Sequence, residues 1–188
     1  MFKAKIVALV MVSLFLSANK GCTLYPAPVA QTGQANTYST GDDGDLQKGV
    51  AWPNPRFTDN LNGTVTDNLT GLVWLEDANC FGTRTWNEAL SDSNGLSSGS
   101  CGLTDGSNAG EWRLPHIKEL QSLLDFSNTY PALPSGHPFT NVQSDVYWSS
   151  TTSALSSSSA WYVFMDDCFV YNGIKSSLSY VWPIRDPL

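Results

Sequence analysis

The stretch that most constrains the fold is residues 56–74, where short β-prone segments alternate with turn dipeptides. The Asn-Gly pair at 62–63 favours a two-residue hairpin loop, because both turn positions need positive φ. The Thr-Gly pair at 70–71 marks a second turn, and the apolar run 72–75 after it is typical of a buried strand. The stretch predicts short strands joined by tight turns, and it carries no nucleophile, metal cluster or phosphate-binding loop.

Two helices are predicted downstream. Thr85 and Glu88 form a capping box, which predicts a helix over residues 86–94. Pro115 follows a short strand at 112–114 and opens the second helix, because a helix start does not need the amide that proline lacks. The inner face of this helix is marked by apolar residues at helical spacing: Ile117, Leu120, Leu123 and Leu124.

The C-terminal third is rich in aromatic and β-branched residues, which predicts strands at 146–151, 160–165, 169–171 and 180–184. Strands, two helices and then an antiparallel set of strands make an α+β layout. Side chains alternate along a strand, so Trp161, Val163 and Met165 share one face. Tyr162 and Phe164 share the other, and the sequence leaves open which face points inward.

The charge of the chain excludes one class of partner. Charged residues make up only 14% of the chain, aromatic residues reach 12%, and the formal net charge is -7. Phosphate backbones are bound by basic surfaces, so nucleic acid is not the expected partner. Low charge with many aromatic, Ser, Asn and Gly residues is typical of an exported protein.

The N-terminus predicts export. Lys3 and Lys5 precede an apolar segment at 6–16, which is too short to span a bilayer comfortably, so residues 1–18 are expected to be a signal peptide. Alternatively, Cys22 is a lipidated cysteine, which would make the leader residues 1–21 and anchor the protein to the membrane. Residues 19–49 form a polar linker or arm, and residues 50–188 form the domain.

Export permits disulfides, and three cysteines lie in the expected domain. Cys80 and Cys101 flank the first predicted helix and a Gly/Ser/Asn-rich loop, and a bridge between them would be worth roughly 3 kcal/mol. Cys168 is then unpaired. It is expected to be a buried thiol, because no His or Lys lies near it in sequence to activate it.

Metal and catalytic chemistry are weakly indicated. Oxygen-bearing side chains crowd one segment, and structural turns explain them better than a calcium site: Asp59, Asn60, Asn62, Asp67 and Asn68. His116 and His137 lack a nucleophile-elbow motif beside them, so no catalytic residue, cofactor or metal is predicted.

Several separated motifs together resemble one bacterial extracellular family, the Lcl C-terminal domain family. They are residues 56–74, the Cys80 and Cys101 pair, 112–115 with its helix, 147–152 and 181–185. The resemblance covers about residues 45–186. It implies a C-type-lectin-like fold, with two helices packed on a twisted antiparallel sheet and long loops that carry ligand contacts. Some proteins of this architecture are surface adhesins.

The resemblance does not extend to known active sites. Residues 113–115 are similar to a segment of formylglycine-generating enzymes, but those enzymes need a cysteine pair near the C-terminus, where this chain has only Cys168. The calcium-dependent sugar motifs of true C-type lectins, Glu-Pro-Asn, Gln-Pro-Asp and Trp-Asn-Asp, do not occur.

The sequence therefore predicts a non-catalytic binding or adhesion module in the periplasm, at the cell surface or secreted. Its ligand is a glycan or a protein, bound by the long loop 127–145 and the C-terminal sheet. The expected contacts are Trp148, Tyr162, Asp166, Asp167 and Tyr171. Two alternatives stay open: an enzyme of the formylglycine-generating type or another hydrolase, and a structural subunit of a surface assembly attached through its arm.

Overall fold

The computed structural model describes residues 29–187. The predicted signal peptide and Cys22 lie outside these residues. The described chain is a mixed α/β structure with few helices and two sheets in which most strands pair antiparallel. Within the same residues, no helix is long and apolar enough to cross a membrane.

The first sheet has the order β1-β2-β3-β9. Its strands are β1 (Phe57–Asp59), β2 (Thr64–Asp67), β3 (Val73–Leu75) and β9 (Ile184–Arg185). The sequence predicted the first three, whereas the pairing of β9 with β3 brings the end of the chain back to its beginning.

The predicted two-residue turn at 62–63 is wrong in detail. Asp59 pairs with Val65, so the loop is longer, and positive φ falls on Leu61 and Gly63. The reason is local hydrogen bonding: the Asp59 carboxylate accepts the Leu61 amide at 2.7 Å, and the Asn62 side chain accepts the Thr64 amide at 3.2 Å. Two such side-chain turns in succession replace the tight hairpin.

The second sheet has the order β4-β8-β5-β6-β7. Its strands are β4 (Thr83–Arg84), β5 (Val146–Thr152), β6 (Ser159–Phe164), β7 (Val170–Ile174) and β8 (Ser179–Tyr180). All pairs are antiparallel except β5 with β8. β7 forms one edge of this sheet.

Three helices complete the described fold: α1 (Asp43–Leu46), α2 (Trp86–Gly95) and α3 (Ile117–Gln121). The capping box of α2 is confirmed, since the Thr85 amide donates to the Glu88 carboxylate at 2.9 Å. α3 is a short helix that ends before Leu123 and Leu124, although both are buried as their spacing predicted.

The core has a large and a small cluster. The large one contains Trp74, Trp112 and Trp182, together with Val163 and Met165, which are both fully buried. The face of β6 that carries Val163 is thus the inward one. The small cluster lies under α2 and includes Ala89, Leu114, Trp148, Ala160 and Val181.

Residues 29–49 contain α1 and hydrogen-bond to the rest of the chain. The Val50 amide donates to the Val29 carbonyl at 2.8 Å, and the Phe126 amide donates to the Thr32 carbonyl at 3.0 Å. The Trp52 indole donates to the Gln31 carbonyl at 2.8 Å. The division of the chain at residue 50 stays a prediction.

Candidate ligand-binding surface

Four aromatic side chains form one contiguous surface on the outer face of β6, β7 and the turn between them. We call Tyr162, Phe164, Phe169 and Tyr171 the aromatic patch. Each ring contacts two others of the set, with centroid distances of 5.4, 5.8, 5.9 and 6.4 Å around the four. Phe169 and Tyr171 are each 54% exposed, whereas Tyr162 and Phe164 are partly buried. The patch offers a ligand a nearly continuous aromatic surface on the β6–β7 hairpin.

Strand alternation puts these rings on one face of the hairpin, and a glycine on β7 leaves room for one of them. Tyr162 pairs with Tyr171, and Ala160 pairs with Gly173, so all four residues share one face of the hairpin. A Cβ atom on Gly173 would lie 2.7 Å from Cε1 of Tyr162, closer than real contacts allow. Glycine at this position therefore leaves the space that the Tyr162 ring occupies.

Trp148 lies on the same face but in the core. It pairs with Tyr162 across β5 and β6, and the two rings meet edge to face at 5.6 Å. Its exposed fraction is 0%, and its indole nitrogen donates to the Arg84 carbonyl at 3.0 Å. Trp148 was expected to touch a ligand; in this structure it supports the Tyr162 ring from the side and offers no surface of its own.

Asp166 and Asp167 form the turn that joins β6 to β7. The Asp167 carboxylate accepts the Phe169 amide at 3.1 Å and so shapes the turn beside the patch. The Asp166 carbonyl accepts the Tyr130 amide at 3.0 Å, which docks the long loop 127–145 against the turn. Tyr130 is 72% exposed there. The structure thus brings together Tyr162, Tyr171 and the turn, and adds the predicted loop beside them.

Sequence reasoning missed Phe164, Phe169 and Tyr130 as candidate contacts. Phe164 shares the Tyr162 face by simple alternation, which is a signal present in the sequence. Phe169 shares the Tyr171 face of the predicted strand 169–171 by the same alternation. Tyr130 sits in an irregular loop, so no periodicity marks it.

Two ionisable groups near the patch, Tyr162 and Cys168, have raised pKa values. Burial, and then the neighbouring Tyr171, raise the pKa of the Tyr162 hydroxyl. Burial raises the pKa of the Cys168 thiol to about 11, and Asp125, Asp167 and Asp166 add to the effect. A thiol with this pKa is protonated at neutral pH, which is the opposite of an activated cysteine.

The acidic and amide side chains of 59–68 are used within the fold. Asp67 is fully buried, and its carboxylate accepts hydrogen bonds from Nε and Nη2 of Arg56 at 2.8 and 3.0 Å. Asn68 donates to the Pro55 carbonyl and to the Thr58 hydroxyl. Across residues 29–187, no group of three or more His, Cys, Asp or Glu side chains is placed to hold a metal ion.

A shallow cleft of about 470 Å³ lies beside the β1–β2 hairpin and is lined by Asp59, Glu76, Asp77 and residues of the Cys101 loop. Loss of solvent raises the pKa of Glu76, and the charges of Asp59 and Asp77 raise it further. The cleft is therefore an unfavourable environment for the charged form of Glu76.

The two histidines have separate surroundings. His116 caps α3, because its Nδ1 accepts the Glu119 amide at 3.2 Å, and this explains its position after Pro115. His137 lies in the long loop, its ring 5.8 Å from that of Phe139, and burial lowers its pKa.

The predicted disulfide between Cys80 and Cys101 is confirmed, with a Cα–Cα distance of 5.6 Å. Such a bond suggests an extracytoplasmic domain, since disulfides persist mainly outside the reducing cytosol. Residues 63–185 match the Lcl C-terminal domain. The chain therefore belongs to the Lcl C-terminal domain family, as its motifs predicted. A comparison with curated proteins finds none that matches.

Proposed function

We propose that this protein is an exported, non-catalytic binding or adhesion module whose ligand, a glycan or a protein, docks on the aromatic patch. The observation that carries the proposal is the contact of four aromatic rings on one exposed face of the β6–β7 hairpin. Its location in the periplasm, at the cell surface or in the medium is part of the same proposal.

The chemistry of the patch suits both ligand types. Aromatic faces stack on the apolar faces of sugar rings or pack against hydrophobic side chains of a protein, and tyrosine hydroxyls add hydrogen bonds. Aromatic residues also dominate the energetic centres of protein interfaces. The Asp166–Asp167 turn adjoins the patch and supplies polar groups at its border, and the Tyr130 amide is hydrogen-bonded to that turn.

The finer fold assignment belongs to this proposal. The helices α2 and α3, the antiparallel-rich sheets and the long loops are consistent with the C-type-lectin-like fold implied by the family resemblance. In that interpretation, the β6–β7 hairpin and the loop 127–145 correspond to the ligand-bearing part of the fold.

The test is a glycan array and a whole-surface binding screen of the purified protein, run with calcium and with a chelator. The Phe169→Ala/Tyr171→Ala variant removes the two most exposed rings of the patch. We expect it to weaken binding by about tenfold or more, which is typical of losing interface aromatics. Leu155→Ala is the matched control, because Leu155 is 93% exposed in the separate β5–β6 loop.

Saturable binding that survives in the double variant would contradict the patch as the binding surface. No binding to any glycan or surface would reject the glycan version and leave a purified protein partner as the ligand to test. A loss of binding in chelator would add a calcium requirement.

One observation favours the alternative of a structural subunit. The described part of the arm is folded, and it presents exposed apolar side chains at Val29, Tyr38 and Leu46. An assembly role predicts that Tyr38→Ala/Leu46→Ala abolishes surface incorporation while ligand binding is kept. The enzymatic alternative finds less support, since the pKa of Cys168 is raised rather than lowered.

A further inference from the structure

Acidic side chains border one end of the aromatic patch. Asp166 and Asp167 form the turn after β6, and the Asp145 carbonyl accepts the Met165 amide at 3.0 Å, which places Asp145 beside that turn. Asp145 and Asp167 are exposed, and one oxygen of the Asp166 carboxylate has no hydrogen-bond partner within residues 29–187. The end of the patch that carries Phe169 therefore adjoins three carboxylates.

No basic side chain in the described part of the chain pairs with these three carboxylates. The ion pairs formed by Lys, Arg and His side chains of residues 29–187 all involve other acids. Lys175 follows β7 at the other end of the hairpin. Its ammonium donates to the Thr152 hydroxyl at 2.8 Å and lies 3.8 Å from the centre of the Trp86 ring, so it is held away from the acidic turn.

The Cys168 thiol responds to the negative charge at this turn. Its pKa is raised first by burial and then by the charges of Asp125, Asp167 and Asp166. Charges that disfavour an anion at one point favour a cation there, because the sign of the interaction reverses. The turn end of the patch therefore attracts a positively charged group.

The two exposed rings beside the turn suit one kind of cation. The centroids of Phe169 and Tyr171 lie 5.9 Å apart, and the ring planes differ by only 27°. Aromatic faces attract cations. A planar guanidinium can stack flat on such rings and is weakly hydrated, whereas an ammonium is compact and strongly hydrated. Exposed rings beside uncompensated carboxylates thus favour arginine over lysine.

The fold holds two of its own arginines with the same combination of groups. Arg56 pairs with Asp67 at 2.8 Å, and its guanidinium carbon lies 4.7 Å from the centre of the Trp52 ring. Arg185 lies 3.3 Å from a carboxylate oxygen, and its guanidinium carbon is 5.5 Å from the centre of the Trp112 ring. At the aromatic patch the rings and the carboxylates are present and the described chain supplies no arginine.

We propose that the ligand of the aromatic patch is a protein segment that presents an arginine, whose guanidinium stacks on Phe169 and Tyr171 and pairs with the Asp167 carboxylate. The guanidinium makes the ligand a protein, because this group is the side chain of arginine. The inference rests on the proposed function, since it names the ligand class of the same surface. The net charge of -7 adds a long-range attraction for a basic partner.

The test is an NMR titration of the isotope-labelled protein, purified after expression of the full chain, with two peptides that differ in one group. The first is acetyl-Gly-Ser-Arg-Ser-Gly-amide, and the second carries citrulline in place of arginine, which keeps the planar shape and removes the charge. We expect the arginine peptide to bind about fivefold more tightly or better, with the largest shifts at residues 162–171. A third peptide with lysine in the same place tests a compact ammonium.

Asp167→Asn removes the charge but keeps a side-chain oxygen that can accept the Phe169 amide. It should reduce the preference for arginine over citrulline by about threefold. Asp59→Asn is the matched control, because Asp59 is also exposed and its carboxylate accepts the amide two residues further on, that of Leu61, in the separate β1–β2 hairpin. This control should keep the full preference.

The Phe169→Ala/Tyr171→Ala variant tests the stacking surface with the same peptides. It should abolish the shifts caused by the arginine peptide, because the rings that the guanidinium covers are gone. The amide spectrum recorded for each variant shows directly whether it is folded, so a variant that has lost its structure is recognised before titration.

Equal binding of the arginine and citrulline peptides would overturn the inference. So would tighter binding of the lysine peptide, shifts that survive in the double variant, or no binding of any peptide at millimolar concentration. In each of these cases the proposed function still stands if the glycan array or the surface screen finds a ligand that the double variant loses. If no such ligand is found, the proposed function fails together with the inference.

Discussion

At the scale of single residues, Arg56 and Asp67 form an ion pair in which both charged side chains are buried. Asp67 is fully buried and also accepts the Leu69 amide at 2.9 Å and the Thr70 hydroxyl at 2.8 Å. Removing one partner of a buried ion pair leaves the other charge uncompensated. Asp67→Ala should therefore lower the free energy of unfolding by about 3–5 kcal/mol, measured by urea denaturation.

The control is Asp92→Ala, which breaks the ion pair with Arg84 at 2.7 Å. These side chains are 37% and 34% exposed, so solvent screens the pair and the loss should stay under about 1 kcal/mol. Equal denaturation midpoints for the two variants would show that burial does not set the strength of the Arg56–Asp67 pair.

Glu76 makes the stability of the fold depend on pH. Its pKa is raised in the folded state by burial and then by Asp59 and Asp77. The folded state therefore holds the Glu76 proton more tightly than the unfolded state, and stability falls as pH rises through this window. The loss begins near the ordinary glutamate pKa of about 4.3 and is complete above the folded-state value.

Glu76→Gln should thus raise the thermal midpoint at pH 7, and the gain should vanish in acid. Glu88→Gln is the control of opposite sign, because hydrogen bonds from the Thr85 hydroxyl and amide lower the pKa of Glu88. Thermal unfolding at several pH values compares them. A Glu76→Gln gain that does not change with pH would mean that charge is not its cause.

At the scale of elements, the β6–β7 hairpin depends on Gly173. An added Cβ there meets the Tyr162 ring at 2.7 Å, so Gly173→Ala must displace that ring from the patch. We expect weaker ligand binding in the screen described above, with the overall fold kept. Gly95→Ala is the control, because it adds the same atom at the end of α2 where nothing lies within 4 Å.

Binding equal to the wild type in Gly173→Ala would mean that Tyr162 does not need its present position. A large loss of stability, seen by thermal unfolding, would instead assign Gly173 to the integrity of the hairpin. The two outcomes separate a role in the patch from a role in the fold.

Local sequence patterns predicted helices and strands, but not which faces of the strands other elements cover. The capping box located α2, and alternation separated Tyr162 and Phe164 from Val163, which lies on the opposite face of β6 in the large core cluster. Alternation gives no sign of what lies above a face. α2 covers only part of the Tyr162 face, so Trp148 is buried in the small cluster whereas Tyr171 extends beyond it into solvent.

Pairings between distant segments were equally invisible. The sequence does not mark Ile184 as the partner of Trp74, or Tyr180 as the parallel partner of Tyr147. Both pairings join segments that are far apart in sequence, and short-range periodicity gives no information about such pairings. The ion pair of Arg56 with Asp67 was missed for a different reason, since turn geometry alone already explained the aspartate.

At the scale of the whole molecule, the disulfide between Cys80 and Cys101 holds two regions together. It closes a loop that contains α2, and the two cysteines have a sequence separation of 21. Beyond Cys101, the Thr104 amide donates to the Asn62 carbonyl at 2.9 Å, which seats this loop on the β1–β2 hairpin of the other sheet. The disulfide thus ties the segment that contains α2, which packs on the second sheet, to the loop that contacts the β1–β2 hairpin of the first sheet.

Cys80→Ser/Cys101→Ser should lower the free energy of unfolding by about 3 kcal/mol, because the unfolded chain regains the freedom that the closed loop removes. Chemical denaturation measures the loss, and reduction of the wild type should reproduce it. Cys168→Ser is the control, since Cys168 is the free cysteine of the described chain and closes no loop. If reduction left the wild-type midpoint unchanged, the loop would be held by its packing and its contact with Asn62 rather than by the covalent bond.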